Sequence, residues 1–210
     1  MYRRPPIGNA PDGTTVEYRL PVAGAPTTVL VKRDRRNFKG LLQNELAAMS
    51  LMRAAGVPTA SHAVSALASD VYETARFDRV MAANGSVARL HAEDGCQLTG
   101  KISQSKYAEF GGPSYAELVA MLIRYSANAL EDGELLFRWA VANLAIGNRD
   151  AHAKNISVLY LDNATIRLAP AYDVLCTVAY PHIDTKLPLA FGGQKSVAAL
   201  TRHSDRKSVV

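Results

Sequence analysis

Cysteine is nearly absent from this sequence, and the little there is carries no pattern. Cys96 and Cys176 are the two in 210 residues. They lack the number for a disulfide framework and the spacing of a metal motif, so both are read as buried, reduced thiols. No apolar run reaches about 18 residues and the N-terminus is not signal-like, so the expectation is a soluble, non-secreted, cytoplasmic chain with no membrane partner. Aromatic residues make up 7% of the chain and do not interleave with the basic runs Arg3-Arg4 and Lys32-Arg33-Asp34-Arg35-Arg36. No base-stacking platform follows. With a net charge of only +5, those runs read as solvated faces, and no direct nucleic-acid binding is expected. Internal repeats and low-complexity linkers are also missing.

What is present is 48% apolar residues over a length suited to one domain in two lobes. Residues 1–14 read as loop. Val16–Pro21 and Thr27–Lys32 read as strands, and Leu41–Ala55 as a helix with Leu42, Glu45, Leu46, Met49 and Met52 on one side. Gly56-Val57-Pro58 ends that helix. Strands near Ala63–Leu67 and Val71–Phe77 complete a small mixed lobe. From Arg89 the pattern turns helical. Tyr115, Leu118, Val119, Leu122 and Ile123 form an apolar stripe expected to pack on a helix through Leu136, Trp139, Ala140, Asn143 and Leu144. Glu131 and Asp132 are its N-terminal cap candidates, and Gly147-Asn148 stops it. Ile156–Leu161 and Thr165–Leu168 read as a hairpin turned by Asp162-Asn163-Ala164.

Between that helix and that hairpin lies Gly147-Asn148-Arg149-Asp150-Ala151-His152-Ala153-Lys154-Asn155, and Asp173 follows the hairpin. Asp150 and Asn155 stand in D-x-x-x-x-N spacing. Phosphoryl transfer needs a carboxylate to orient and deprotonate a hydroxyl. It also needs an amide oxygen and a second carboxylate to hold Mg²⁺ against phosphates. A polar loop leaving a buried helix, then a hairpin and an Asp, is a layout that brings two such carboxylates over one metal.

On these residues the chain resembles the HipA family of serine/threonine protein kinases, the toxin half of type II toxin–antitoxin pairs. Asn148–Asn155 is similar to the family's catalytic loop and Leu168–Asp173 to its metal-binding segment. Arg76–Arg79 resembles the segment joining the lobes, and Arg89–Gln97 the helix start beyond it. Asn44-Glu45 and Leu187–Gly193 also fit, and the match runs from about Thr27 to Thr201. The resemblance implies an α+β, bilobal protein-kinase-like fold, with a small mixed lobe over 1–79 and a larger helical lobe over 80–204. Both are expected to be incomplete. Gly8, Gly13 and Gly24 are too scattered to be the family's phosphate-covering loop. Residues 205–210 read as a charged tail or as the translation of a sequencing adapter, hence a non-native tail.

The resemblance also assigns roles. Asp150 is the catalytic base, with a loop-capping Asp as the other reading. Asn155 and Asp173 are the Mg²⁺ ligands. Lys32 would meet the ATP phosphates and Glu45 would hold Lys32; a strand-end lysine and a helix-surface glutamate are the alternatives. His152 and Lys154 lie close enough to contact phosphate, and His152 reads equally well as a structural hydrogen-bonder. Ala75, Arg76 and Phe77 would present backbone groups to adenine, and Tyr172 adjoins the cofactor. The implied partners are a protein substrate, such as a translation component, and a HipB-like DNA-binding antitoxin. The competing readings are a catalytically inactive module that binds an antitoxin, and a metal-dependent hydrolase built on Asp150, His152 and Asp173.

Overall fold

Side chains alternate along Val71–Ala75: Tyr72 and Thr74 are buried and their neighbours are not, the signature of a strand with one covered face. The computed structural model describes residues 26–33, 40–66, 68–181 and 186–196, with the backbone of four short strands before them. The expected tail at 205–210, Leu67 and the basic run beyond Arg33 lie outside the described residues. The chain groups into two units, Met1–Leu46 with Ala60–Arg89, and Ala47–Thr59 with Leu90–Val210.

The first unit opens with β1 (Tyr2–Arg3), β2 (Ile7–Asn9), β3 (Thr15–Glu17) and β4 (Leu20–Pro21), paired β1 with β4 and β2 with β3. Two of these lie in the expected loop over 1–14, and the single strand expected over 16–21 is broken in two. Ladders of two and three residues are too short for periodicity to register. A three-stranded antiparallel sheet follows, with β7 (Val71–Ala75) between β5 (Val29–Arg33) and β6 (His62–Val64). Its register sets Lys32 opposite Tyr72. The hairpin of β8 (Arg79–Met81) and β9 (Val87–Arg89) turns through Gly85 at φ 78°. It groups with this unit, past the Arg79 boundary read from the sequence.

Helix α1 (Leu41–Ala54) buries Leu42, Glu45, Met49 and Met52, three and four residues apart, and stops at Gly56 with φ 78°. Residues 41–46 belong to the first unit and the remainder to the second.

In the second unit, β11 (Ser157–Tyr160) lies between β10 (Ala92–Asp94) and β12 (Ile166–Leu168), all antiparallel. The helical pattern expected from Arg89 begins only at α2 (Gly95–Leu98), because Ala92–Asp94 pair with a strand over sixty residues downstream; a long-range ladder overrides local preference. Asp94 caps α2, its carboxylate accepting from the N–H groups of Cys96 and Gln97 at 2.9 and 3.0 Å. Helix α3 (Tyr115–Tyr125) starts from a Ser114–Glu117 capping box and buries Tyr115, Leu118 and Leu122 against α4 (Ala129–Ile146). Ile123, expected in that stripe, is 66% exposed. Each buried leucine contributes roughly 1.5–3 kcal/mol, so the α3–α4 seam is what fixes the end of α4.

That end positions the site, and its start corrects the sequence reading. The N-cap of α4 is Asn128, whose side chain accepts from the N–H of Glu131 at 3.3 Å. Asp132 is fully buried and accepts from the Ser126 hydroxyl at 2.6 Å, Arg167 Nε at 3.0 Å and the Leu168 N–H at 2.9 Å. It ties the start of α4 to β12, the strand that leads into Asp173. The hairpin of β13 (Lys186–Phe191) and β14 (Gln194–Ser196) closes the described chain.

Candidate active site

Helix α4 ends at Gly147, whose φ of 79° frees the chain to turn. A side chain there would also sit 2.5 Å from Val178, so glycine is required twice over. The next residues are fastened one by one. Asn148 is buried, and its Nδ2 donates to Asn143 Oδ1 at 2.8 Å. Its own Oδ1 accepts from the Asp150 N–H at 3.0 Å. Arg149 N–H donates to Thr177 Oγ1 at 2.6 Å. Asn155 Nδ2 donates to the Asp150 carbonyl at 2.9 Å, closing the loop between the two residues of the D-x-x-x-x-N spacing. With its amide nitrogen engaged, Asn155 has Oδ1 left over, a hard oxygen of the kind that can ligate a metal ion.

The carboxylate of Asp150 accepts a hydrogen bond from the Tyr107 hydroxyl, and His152 Nε2 lies 3.6 Å from the same oxygen. His152 is buried and packs edge-on against the Tyr107 ring at 5.1 Å. Its Nε2 is 2.8 Å from Lys106 Nζ. An ammonium can only donate, so Nε2 accepts and the imidazole is neutral. Burial, helped by the Lys106 charge, holds the His152 pKa below its usual value, against the pull of Asp150 and Asp173. Both carboxylates therefore act on one imidazole. Its Nδ1 is buried without a hydrogen-bond partner among the described residues. Burial and the adjacent Asp150 push the Tyr107 hydroxyl pKa upward, so Tyr107 stays a donor.

Asp173 is half-buried and left-handed, at φ 57°, a conformation a non-glycine residue adopts only when its surroundings impose it. Those surroundings include the bond from the Ala171 N–H to the Pro58 carbonyl at 2.8 Å. Tyr172 donates to the Lys154 carbonyl at 2.8 Å and receives the Ser157 hydroxyl at 2.6 Å. Its hydroxyl thus fastens the Asp173 segment to the Asp150–Asn155 loop, and burial pushes its pKa up to about 12. Lys154 Nζ donates to Ser103 Oγ at 2.9 Å. Among the described residues no cluster of three or more His, Cys, Asp or Glu is arranged to hold a metal. Magnesium in phosphoryl-transfer sites takes one or two protein carboxylates and completes its shell with phosphates and water, which suits Asn155 and Asp173.

The remaining predicted residues belong to the first unit. Lys32 Nζ meets Glu45 Oε1 at 2.7 Å, with Glu45 only 3% exposed, so the strand-end lysine and the helix glutamate are paired. Arg76 holds both carboxylate oxygens of Asp78, at 2.9 and 2.8 Å, and Asp78 also accepts from Arg79. Arg76 is therefore a structural fork. The backbone N–H groups of Ala75 and Arg76 donate to Ser61 and Thr28 carbonyls at 2.7 and 2.9 Å, so neither is available to adenine. Phe77 is half-buried beside them.

The residues that sequence reasoning missed are Lys106, Tyr107 and Thr177. Asn148 reads from the sequence as the start of the loop and Asp132 as a helix cap, without the contacts they make. A signal for Lys106 and Tyr107 was present in Gly111-Gly112-Pro113. Gly111 is left-handed, and a Cβ on Gly112 would lie 2.5 Å from the Ser105 carbonyl. The double glycine thus folds 105–107 back on itself. Neither cysteine is in a disulfide among the described residues, Cys96 being buried and Cys176 half-buried.

The sequence model of the HipA-like C-terminal domain family matches residues 12–208. The chain belongs to that family. It is similar to the putative kinase Y4mE of Sinorhizobium fredii, 38% identical over 185 residues, covering 88% of this chain and 44% of that protein. Among solved structures it is similar to HipA in a complex of the Shewanella oneidensis toxin–antitoxin system with HipB and operator DNA. The TM-score is 0.79 at 23% identity, covering 90% of this chain and 46% of that one. It is also similar to the Helicobacter pylori proinflammatory kinase CtkA, with a TM-score of 0.55 at 12% identity, over 86% and 70% of the two chains. The fold is the α+β, kinase-like fold of the HipA family, and the family is kinase-like. The chain spans less than half the length of the first relative. No helix among the described residues is long and apolar enough to cross a membrane.

Proposed function

We infer that the chain carries the catalytic and metal-holding loops of an ATP-dependent serine/threonine protein kinase, the toxin of a type II toxin–antitoxin pair. The observation that carries this reading is the closed loop from Asp150 to Asn155: a carboxylate held by Tyr107, and an amide whose nitrogen is engaged and whose oxygen is of the kind that can ligate a metal. Asp150 orients the attacking hydroxyl and takes its proton as the oxygen bonds to the γ-phosphorus and ADP leaves. Asn155 Oδ1 and the Asp173 carboxylate would hold Mg²⁺, which neutralises phosphate charge when bound. Lys32, set by Glu45, meets the phosphates, and His152 and Lys154 border them. Ala75, Arg76 and Phe77 border adenine through groups other than the two engaged N–H donors. By family kinship the substrate is a protein, such as a translation component, and a HipB-like DNA-binding antitoxin is the regulatory partner.

Calorimetry and phosphate transfer test the assignment. ATP should bind only with Mg²⁺, and Asp173→Ala should remove that heat; equal heats from both proteins would overturn the metal assignment. Asp150→Asn should still bind nucleotide yet transfer γ-labelled phosphate on the order of 10²–10⁴ times more slowly. Wild-type transfer by that variant would overturn the base. A chain that captures the antitoxin and transfers nothing would instead be a binding module.

A further inference from the structure

Beside Asp150 a cavity of about 360 Å³ opens between the 107–110 segment, the catalytic loop and the start of β13. Its lining is chemically mixed, with apolar Phe110, Leu187 and Pro188 beside polar Arg149, Thr177 and Lys186. Of the four charges around it, three are satisfied: Glu109 and Lys186 pair with each other, and Asp150 accepts from Tyr107. Arg149 differs. Its backbone is clamped to Thr177, yet among the described residues its guanidinium makes no hydrogen bond or ion pair, and Nε and Nη1 are buried without an acceptor. Nearly all buried donors in folded proteins find an acceptor, and an unsatisfied one is costly. An unpaired guanidinium on the cavity lining, next to the residue that would receive a hydroxyl, is suited to an acidic group.

We propose that Arg149 and this cavity form a subsite for an acidic side chain neighbouring the hydroxyl to be phosphorylated, so that the substrate class is a peptide segment in which Ser or Thr is flanked by Asp or Glu. This rests on the phosphoryl-transfer reading for the role of Asp150 and deepens it. The apolar part of the lining, including Phe110, which is 61% exposed, favours a peptide over a free inorganic anion, because a small ion would leave that part uncovered. Sequence position alone does not reveal the subsite, since a residue between Asn148 and Asp150 reads as a spacer.

The test is peptide binding by the whole chain, measured by fluorescence anisotropy without nucleotide. Three labelled peptides of one length carry a single Ser flanked by Glu, Gln or Lys. A hydrogen-bonded charge pair is strong enough to give the Glu peptide about tenfold or greater preference over the Gln peptide. Arg149→Gln should abolish that preference, and Arg149→Lys should restore only part of it, since lysine lacks the fork. Equal affinity of the wild-type chain for the Glu and Gln peptides overturns the proposal, whatever the variants do. So does inorganic phosphate binding as tightly as the Glu peptide, which would make this a general anion site. Because no ATP is present, these outcomes are independent of the Asp173→Ala calorimetry on which the kinase reading stands.

Discussion

Tyr107 and Asp78 illustrate how single side chains set charge in the two units. The Tyr107 hydroxyl fixes one oxygen of Asp150, and a hydrogen bond to an ionised acceptor is worth about 1.5–3 kcal/mol. Tyr107→Phe should therefore slow phosphate transfer roughly tenfold while leaving the KM for ATP unchanged, because nothing that holds nucleotide has been touched. Steady-state kinetics separates the two; a raised KM with normal kcat would assign Tyr107 to binding instead. Asp78 is a matter of stability. The Arg76 guanidinium beside it, opposed by burial and aided by Arg79, holds its carboxyl below the ordinary value of 3.8. The folded pKa is thus lower than the unfolded one. The stabilisation is complete above pH about 4 and is lost as pH falls through the folded value. Asp78→Asn should be less stable at pH 7 and should show a flatter acid limb, which urea midpoints at pH 7, 4 and 3 would reveal.

At the scale of elements, the site depends on where α4 begins as much as where it ends. Asp132 holds three donors from two separate stretches of chain, Ser126 before α4 and Arg167 and Leu168 on β12, in a fully buried place. Removing it leaves Arg167 Nε, the Ser126 hydroxyl and the Leu168 N–H without their acceptor. Asp132→Ala should cost about 3 kcal/mol and lower the melting midpoint by roughly 10 °C. Arg167 has a second partner in Glu131 at 2.7 Å, but that pair is open to solvent, 32% and 53% exposed. Glu131→Ala should accordingly cost under about 1 kcal/mol. Scanning fluorimetry of both variants compares them directly, and equal losses would mean that burial does not decide the difference.

Across the whole molecule, ligand linkage offers the broadest check. A nucleotide that binds the folded chain stabilises it by about 2.7 kcal/mol at a hundred times its Kd. ATP with Mg²⁺ should then raise the melting midpoint by roughly 5–10 °C. The shift should disappear with a chelator and in Asp173→Ala, and persist in Asp150→Asn. A midpoint indifferent to Mg²⁺ would count against the metal-bridged site. Family membership, carried by a match over 12–208, makes kinase-like chemistry the frame in which these outcomes are read.

The sequence alone determined the features that local physics governs. Helical spacing placed α1 and α4 to within a few residues, Gly147 fixed where the catalytic loop starts, and the D-x-x-x-x-N spacing named Asp150 and Asn155. It also put Lys32 at the end of a strand and Glu45 on a helix, but left open whether that glutamate is paired or on the surface. The structure decides by burying it against Lys32. What it could not supply were contacts between segments far apart in the chain. Tyr107 reaches Asp150 across 43 residues, Lys106 reaches His152 across 46, and Arg167 reaches Asp132 across 35. Periodicity and capping report on neighbours within a turn or a hairpin. Which distant donor meets which carboxylate is decided when helices and strands pack, and only the tertiary structure contains that choice. The same packing engaged the N–H groups of Ala75 and Arg76, turned Asp132 from a helix cap into a buried anchor, and left Arg149 without a counter-ion among the described residues.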